Sequence, residues 1–219
     1  MRSQFKLYAC AFAVSVLLLL SIAKGLDDMA QLSLKNQLTE VKRNTVKHGY
    51  TDAKLTHHYT PVSATPFDDS STLALYFSWL AYQERSNTAE SKMFSQRAQQ
   101  LYTQQLRLRP LDASLAVQRA NEKWRSGGTF SSALDDFHLA QKLGHYEQFT
   151  LLNTLTYFLS HWPQLSLDDK KTAIGYLLEH DKYAMKLWQY DALLQKPVVG
   201  ERACSIFKFN GITPYFCRR

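Results

Sequence analysis

Glycine and proline are scarce in this 219-residue chain, eight and six in all, and so few chain-breakers leave long stretches free to be helical. Cysteine is scarcer still, at positions 10, 204 and 217, and the seven histidines are scattered at 48, 57, 58, 138, 145, 161 and 180. That spacing offers no zinc-ligand pattern, and no metal or other cofactor is implied. A glycine-rich phosphate loop, a G-x-S-x-G elbow and an H-E-x-x-H pair are all missing, so phosphotransfer, ester hydrolysis and zinc proteolysis lack a handle in the sequence. The net charge of +7 is dispersed rather than gathered into a basic run. Nucleic acid is therefore not an expected partner, whereas anionic lipid head groups or an acidic polysaccharide remain compatible. Paired acids do occur at Asp68-Asp69, Asp135-Asp136 and Asp168-Asp169. A glycosidase needs two carboxylates facing one cleft. The first and last pairs fit the first turn of a helix, where negative charge suits the dipole, and the middle pair is expected on the outer side of its helix. The expectation is a non-enzymatic protein.

What is present begins with "LYACAFAVSVLLLLSIA", residues 7–23, an uncharged apolar run preceded by Arg2 and Lys6 and followed by Lys24, Asp27 and Asp28. As a helix it covers about 25 Å at ~1.5 Å per residue, near the lower limit for crossing a bilayer. Residues 1–24 read as a signal anchor, or as a signal peptide cleaved after Ser21-Ile22-Ala23. Arg2 and Lys6 favour a cytosolic N-terminus and export of the chain beyond the run, which makes the expected location a single pass through the inner membrane with the C-terminal domain in the periplasm.

An exported domain meets oxidising conditions, where a cysteine pair reads first as a disulfide, with a metal site or a free redox pair as alternatives. Cys204 and Cys217 are equidistant from Asn210-Gly211, a two-residue hairpin signal. A hairpin turning there sets the two cysteines opposite each other as a non-hydrogen-bonded pair, with Cα atoms about 4.5 Å apart. Pro214 disagrees, because it cannot donate to the ladder. Residues 197–219 are thus expected to form a small disulfide-closed β-hairpin.

Between these ends, residues 25–66 read as a juxtamembrane helix and linker. Leu34, Leu38, Val41 and Thr45 form a short helical stripe suited to packing on its own domain, or to a stalk or partner face. His57-His58, Pro61 and Pro66 lie in a stretch without periodicity. From 67 to 196 the pattern is helical. Asp69, Ser70, Ser71, Thr88 and Ser166 are candidate caps, and Pro110, Gly127-Gly128 and Gly144 are candidate stops. "YAMKLWQYDALL" reads as one further helix.

Ala98, Tyr102 and Pro110 recur as Ala133, Phe137 and His145, and Ala140 completes the second copy. This resembles the small-and-aromatic pattern of tetratricopeptide repeats over residues 73–145. The resemblance implies stacked helical hairpins with alanines at the close approaches between paired helices. A plain helical bundle is the alternative. The fold class expected is all-α, a hairpin array carried on an N-terminal membrane helix.

The order of parts carries a second resemblance. An anchor, a linker, "ALYFSWLAYQE", "LYTQQLRLRPLDA", "ALDDFHLAQKLG", "LSHWPQL" and a terminal cysteine segment together resemble the VpsP-like proteins of bacterial polysaccharide-biosynthesis clusters. That implies a membrane-anchored accessory protein in exopolysaccharide assembly or export, with protein partners in that machinery and no catalytic residues to carry over. The alternative is an exported glycan-binding module using exposed aromatics. Among Trp79, Trp124, Trp162 and Trp188, Trp162 beside Pro163 at a helix end is the expected glycan contact.

Overall fold

The computed structural model describes residues 2–48 and 70–218, with the side chains of 2–10, 27 and 44–48 excepted. The expected linker therefore lies mostly outside the described residues. The described chain is all-helical, in two compact units, Met1–Leu101 and Tyr102–Arg219.

The first unit is built on α1, a single helix from Arg2 to His48, and α2, Ser71–Gln83. The four-and-three spacing predicts the contact. Leu34, Leu38 and Val41 are buried with Tyr76 and Leu80 of α2, and Leu73, Phe77, Trp79 and Phe94 close round them. Phe94 lies on α3, Thr88–Leu108, and stacks on Phe77 with ring centroids 6.1 Å apart. The Ser91 hydroxyl ties the start of α3 to the carbonyl of Ala81 at 2.7 Å. Toward its N-terminus α1 is different. Phe12, Val14, Val16 and all four of Leu17 to Leu20 are exposed. Among the described residues no helix is long and apolar enough to cross a membrane, and the apolar run of residues 7–23 begins in the stretch whose side chains are not described.

The second unit contains a helical hairpin, α4 (Ala113–Arg125) and α5 (Phe130–Leu143). Asp112 caps α4 by accepting from the Leu115 amide, and Thr129 caps α5 by accepting from Ser132. Gly127, at φ +76°, makes the turn between them. Ala113, Ala116 and Ala120 on α4, and Ala133 and Ala140 on α5, are buried, which lets the backbones approach. At Gly144, the C-cap of α5, an added Cβ would lie 2.5 Å from that of Ala113. The next hairpin is α6 (Gln148–Ser160) and α7 (Leu167–Leu178), which pack together, and α6 also packs on α4 and α5.

Two expectations fail beyond α7. "YAMKLWQYDALL" is not one helix. It divides into 3-10 turns, His180–Tyr183 and Leu187–Tyr190, and a short α8, Asp191–Leu194. Ala184 breaks the run at φ 50°, so that Tyr183, Met185 and Tyr190 can all reach the core. The C-terminal β-hairpin is also absent from the described residues. Residues Val199–Phe209 form α9, and Val199, Ala203 and Phe207 are buried at four-residue intervals. Asn210-Gly211 terminates this helix instead of turning a ladder. With Gly211 at φ +72°, its amide bonds to the Lys208 carbonyl and that of Ile212 to Phe207, the paired bonds of a glycine helix stop.

Candidate functional site

The polar residues of the second unit gather into two clusters that join its helices. On α5, Asp136 is 4% exposed, contrary to the expectation that both acids of its pair face out; Asp135 alone does so. Asp136 lies three residues after Ala133 and four before Ala140, which places it on the same inward stripe. Its carboxylate accepts from Arg119 Nε and Nη2 of α4 at 2.9 and 2.7 Å, and from Lys123 Nζ at 2.9 Å. Arg119 Nη1 reaches Thr103 and Lys123 Nζ reaches the Ser132 carbonyl. The arrangement is an ion cluster across the hairpin, with three fixed donors on one carboxylate.

The second cluster is His138–Asp169–Ser166. Asp169 Oδ1 lies 2.7 Å from His138 Nε2, and its Oδ2 accepts from the Ser166 hydroxyl at 2.7 Å. The Asp169 amide donates back to Ser166 Oγ at 3.1 Å, so this is the expected cap of α7 joined to α5 through a histidine. The serine touches the carboxylate rather than the imidazole. That is the wrong order for a histidine-activated nucleophile.

Aromatic packing centres on Tyr157 of α6, fully buried between Phe137 at 4.6 Å, Trp124 at 5.2 Å and Phe130 at 5.8 Å. Its hydroxyl donates to the Phe130 carbonyl, and burial pushes its pKa up to about 12. Tyr190 is raised for the same reason, and its hydroxyl donates to the Tyr176 carbonyl. Tyr176 is also raised by burial, against the opposing effect of the bond donated by Gln141.

The residues singled out from the repeat pattern are all interior: Ala98, Tyr102, Ala133, Phe137 and Ala140 are each exposed by 1% or less. Ala98 belongs to the first unit and the other four to the second. Trp162 is half-buried, with Lys170 Nζ 5.9 Å above its ring. The open tryptophan is Trp188, at 69% exposure, with Tyr146 at 62% in the same unit. Gln189 beside Trp188 donates to Gln148 at 2.9 Å and accepts from the Lys186 amide, which pins this 3-10 segment to the start of α6. In the sequence, Trp188 is hidden by its place in an apparently continuous helix.

Cys204 and Cys217 are joined, as expected, but the bond links α9 to the 3-10 turn Tyr215–Cys217 with Cα atoms 5.3 Å apart. The tail is thereby held against a helix whose Arg202 donates to the carbonyls of Leu159 and Ser160 at the end of α6. Among the described residues no group of three histidine, cysteine or acidic side chains could hold a metal ion. No family model, curated protein or solved structure matches the chain.

Proposed function

We propose that the chain is a non-enzymatic scaffold, tethered to the inner membrane by α1, that holds protein partners of exopolysaccharide assembly or export on a periplasmic array of tetratricopeptide-like hairpins. One observation carries the reading. Successive residues Leu17 to Leu20 are each more than half exposed, so the helix offers apolar surface on every side before its other end docks on α2. A helix apolar all round wants lipid or a protein core about it. The cysteine bond supports an oxidising compartment on the far side, and the VpsP-like order of parts supplies the polysaccharide context. Two of the paired acids have structural employment, Asp136 in an ion cluster and Asp169 in a helix cap, while Asp68-Asp69 lie outside the described residues.

The test is fractionation of cells expressing the full chain, with alkaline carbonate extraction and protease accessibility from the periplasmic side, and then co-purification. Retention in the carbonate pellet with a periplasmic second unit and recovery of synthesis or export components is the expected result. Release by carbonate overturns the tether. A second reading, an exported glycan-binding module, is favoured by Trp188, which stands out to solvent beside the Gln148–Gln189 pin. Calorimetry of the full chain against the native polymer, with Trp188→Ala and Trp162→Ala as variants, separates the two. Binding lost in Trp188→Ala without any protein partner selects this second reading.

A further inference from the structure

Helix α1 has two apolar faces, and α2 covers one of them. The other is the series Leu18, Ile22, Gly25, Met29, Leu32 and Asn36, whose spacing alternates four and three without a break. At 100° per residue these positions lie roughly 160–240° around the helix from Leu34, on the side opposite the docked face. Leu18, Ile22, Met29 and Leu32 are 53–71% exposed, and a Cβ at Gly25 would meet nothing within 4 Å. Ser15 and Ala11 continue the spacing toward the N-terminus, and both are exposed.

Lipid accounts for part of this face at most. Met29 and Leu32 come after Lys24, Asp27 and Asp28, outside the apolar run, where a bilayer core would not cover them. A four-and-three spacing held over this length suits another helix wound round it with a left-handed supercoil, much as the same spacing at Leu34, Leu38 and Val41 suits α2. The neighbouring residues say which helix. With Ile22, Met29 and Asn36 at the a positions and Leu18, Gly25 and Leu32 at d, Lys35 falls at g and Glu40 at the following e. In a parallel, in-register pair of identical helices, Lys35 of each copy faces Glu40 of the other, so the charges are self-complementary. Asn36 at an a position is the polar residue that fixes register and favours two strands. The docked residues Leu34 and Val41 occupy f and Leu38 occupies c, so pairing leaves the packing on α2 undisturbed.

We infer that α1 associates with α1 of a second copy of this chain as a parallel two-stranded coiled coil along Leu18–Asn36. The parallel sense rests on the proposed tether, because two copies anchored in one membrane enter it with the same orientation. The apolar seam itself does not.

The experiment uses the full chain with Cys10→Ser, purified in dodecyl maltoside micelles, the Cys204–Cys217 bond intact. Light scattering should give a protein mass twice the 25.2 kDa of one chain. Single cysteines at Met29 and at Leu32 should form interchain disulfides under mild oxidation, and one at Gln37, off the seam, should not. Met29→Glu with Leu32→Glu should return the mass to one chain while the thermal transition stays in place, since neither residue touches the first unit's core. A single-chain mass for the parent, or bonding at Gln37 as fast as at Met29, overturns the pairing. A dimer in which neither seam cysteine bonds to its counterpart overturns the parallel register. Carbonate extraction reads the tether separately: a monomer that stays in the pellet sinks the pairing alone, and a dimer that washes off sinks the tether alone.

Discussion

Removing the Asp136 carboxylate is the most direct probe of what holds the second unit together. In Asp136→Ala the α4–α5 hairpin loses a bidentate bond from Arg119 and an ion pair from Lys123, all within 2.9 Å. Breaking a buried pair by deleting one partner costs about 3–5 kcal/mol, mostly because the other charge is left uncompensated. Two features lower the figure here. The side chains of Arg119 and Lys123 are 17% and 26% exposed, so water can reach them, and each keeps a second partner, Thr103 and the Ser132 carbonyl. A loss of about 2–4 kcal/mol is expected, which is a large share of the stability of an ordinary domain. Asp136→Asn should fall between the parent and Ala, since the amide can still accept one bond. The paired change Arg119→Met with Asp136→Leu should recover part of the loss, because it removes the stranded guanidinium, while Lys123 still lacks its carboxylate. The assay is urea unfolding of the full chain in micelles, monitored by the near-ultraviolet signal of Trp124 and Tyr157, which pack edge to face in this unit. If Asp136→Ala lowers stability by less than about 1 kcal/mol, or the paired change is worse than the sum of its parts, the cluster is not what holds the hairpin.

Other perturbations reach different parts of the fold. Ala133→Leu forces extra volume into a site 1% exposed and should cost about 1–3 kcal/mol in the same titration; an unchanged midpoint means that the face is open. Val198 holds φ 62° and ψ −53°, a tight turn that a β-branched residue adopts only under strain, so Val198→Gly should stabilise the protein by about 1 kcal/mol despite the flexibility gained by the unfolded chain. Cys204→Ser with Cys217→Ser opens a loop with a sequence separation of 13 and should lower stability by about 3 kcal/mol, read as a drop in thermal midpoint that reductant reproduces in the parent and not in the variant. Tyr157 should make the fold alkali-sensitive. Its pKa rises on folding from 10.0 to about 12, so the unfolded chain loses its proton first, and the stabilisation, complete below pH 10, should decline by about 2–3 kcal/mol as pH rises to 12. Tyr157→Phe should make the decline shallower, and the remainder belongs to Tyr176 and Tyr190, which burial also raises.

The parts of the fold legible in the sequence are those where one local signal meets no competitor. Leu34, Leu38 and Val41 predict a docked face because only a helix brings that spacing to one side. Ser166 reads as a cap together with its partner Asp169, whereas Asp112 is overlooked as one, although Pro110 and the apolar run after it mark the same boundary. Signals shared by two structures mislead. Asn-Gly serves a hairpin and a helix stop equally, because both need positive φ, and the four-residue spacing of Val199, Ala203 and Phe207 is the information that separates them. Asp136 can be placed by the same periodicity that places Ala133 and Ala140. Its sequence neighbour Asp135 suggests an acidic surface patch instead. The left-handed Ala184 has no signal, since alanine is a strong helix former and only the tertiary demand to bury Tyr183, Met185 and Tyr190 together overrides it.

That α1 is one unbroken helix, from the exposed leucines to the stripe docked on α2, sets a ruler between them. From Ala23, the last residue of the apolar run, to Leu34, the first docked residue, the rise is about 16 Å at ~1.5 Å per residue. Because both lie on one helix, this first anchoring contact of the unit sits at a set distance beyond the end of that run, roughly two to three times the ~5–8 Å depth of a head-group layer. A stiff rod also transmits tilt: any change of angle at the apolar end swings the docked end with it, where a flexible leash would absorb the motion. Inserting residues after Gly25 would therefore change both height and facing together, each added residue lifting the unit by ~1.5 Å and rotating it by about 100°.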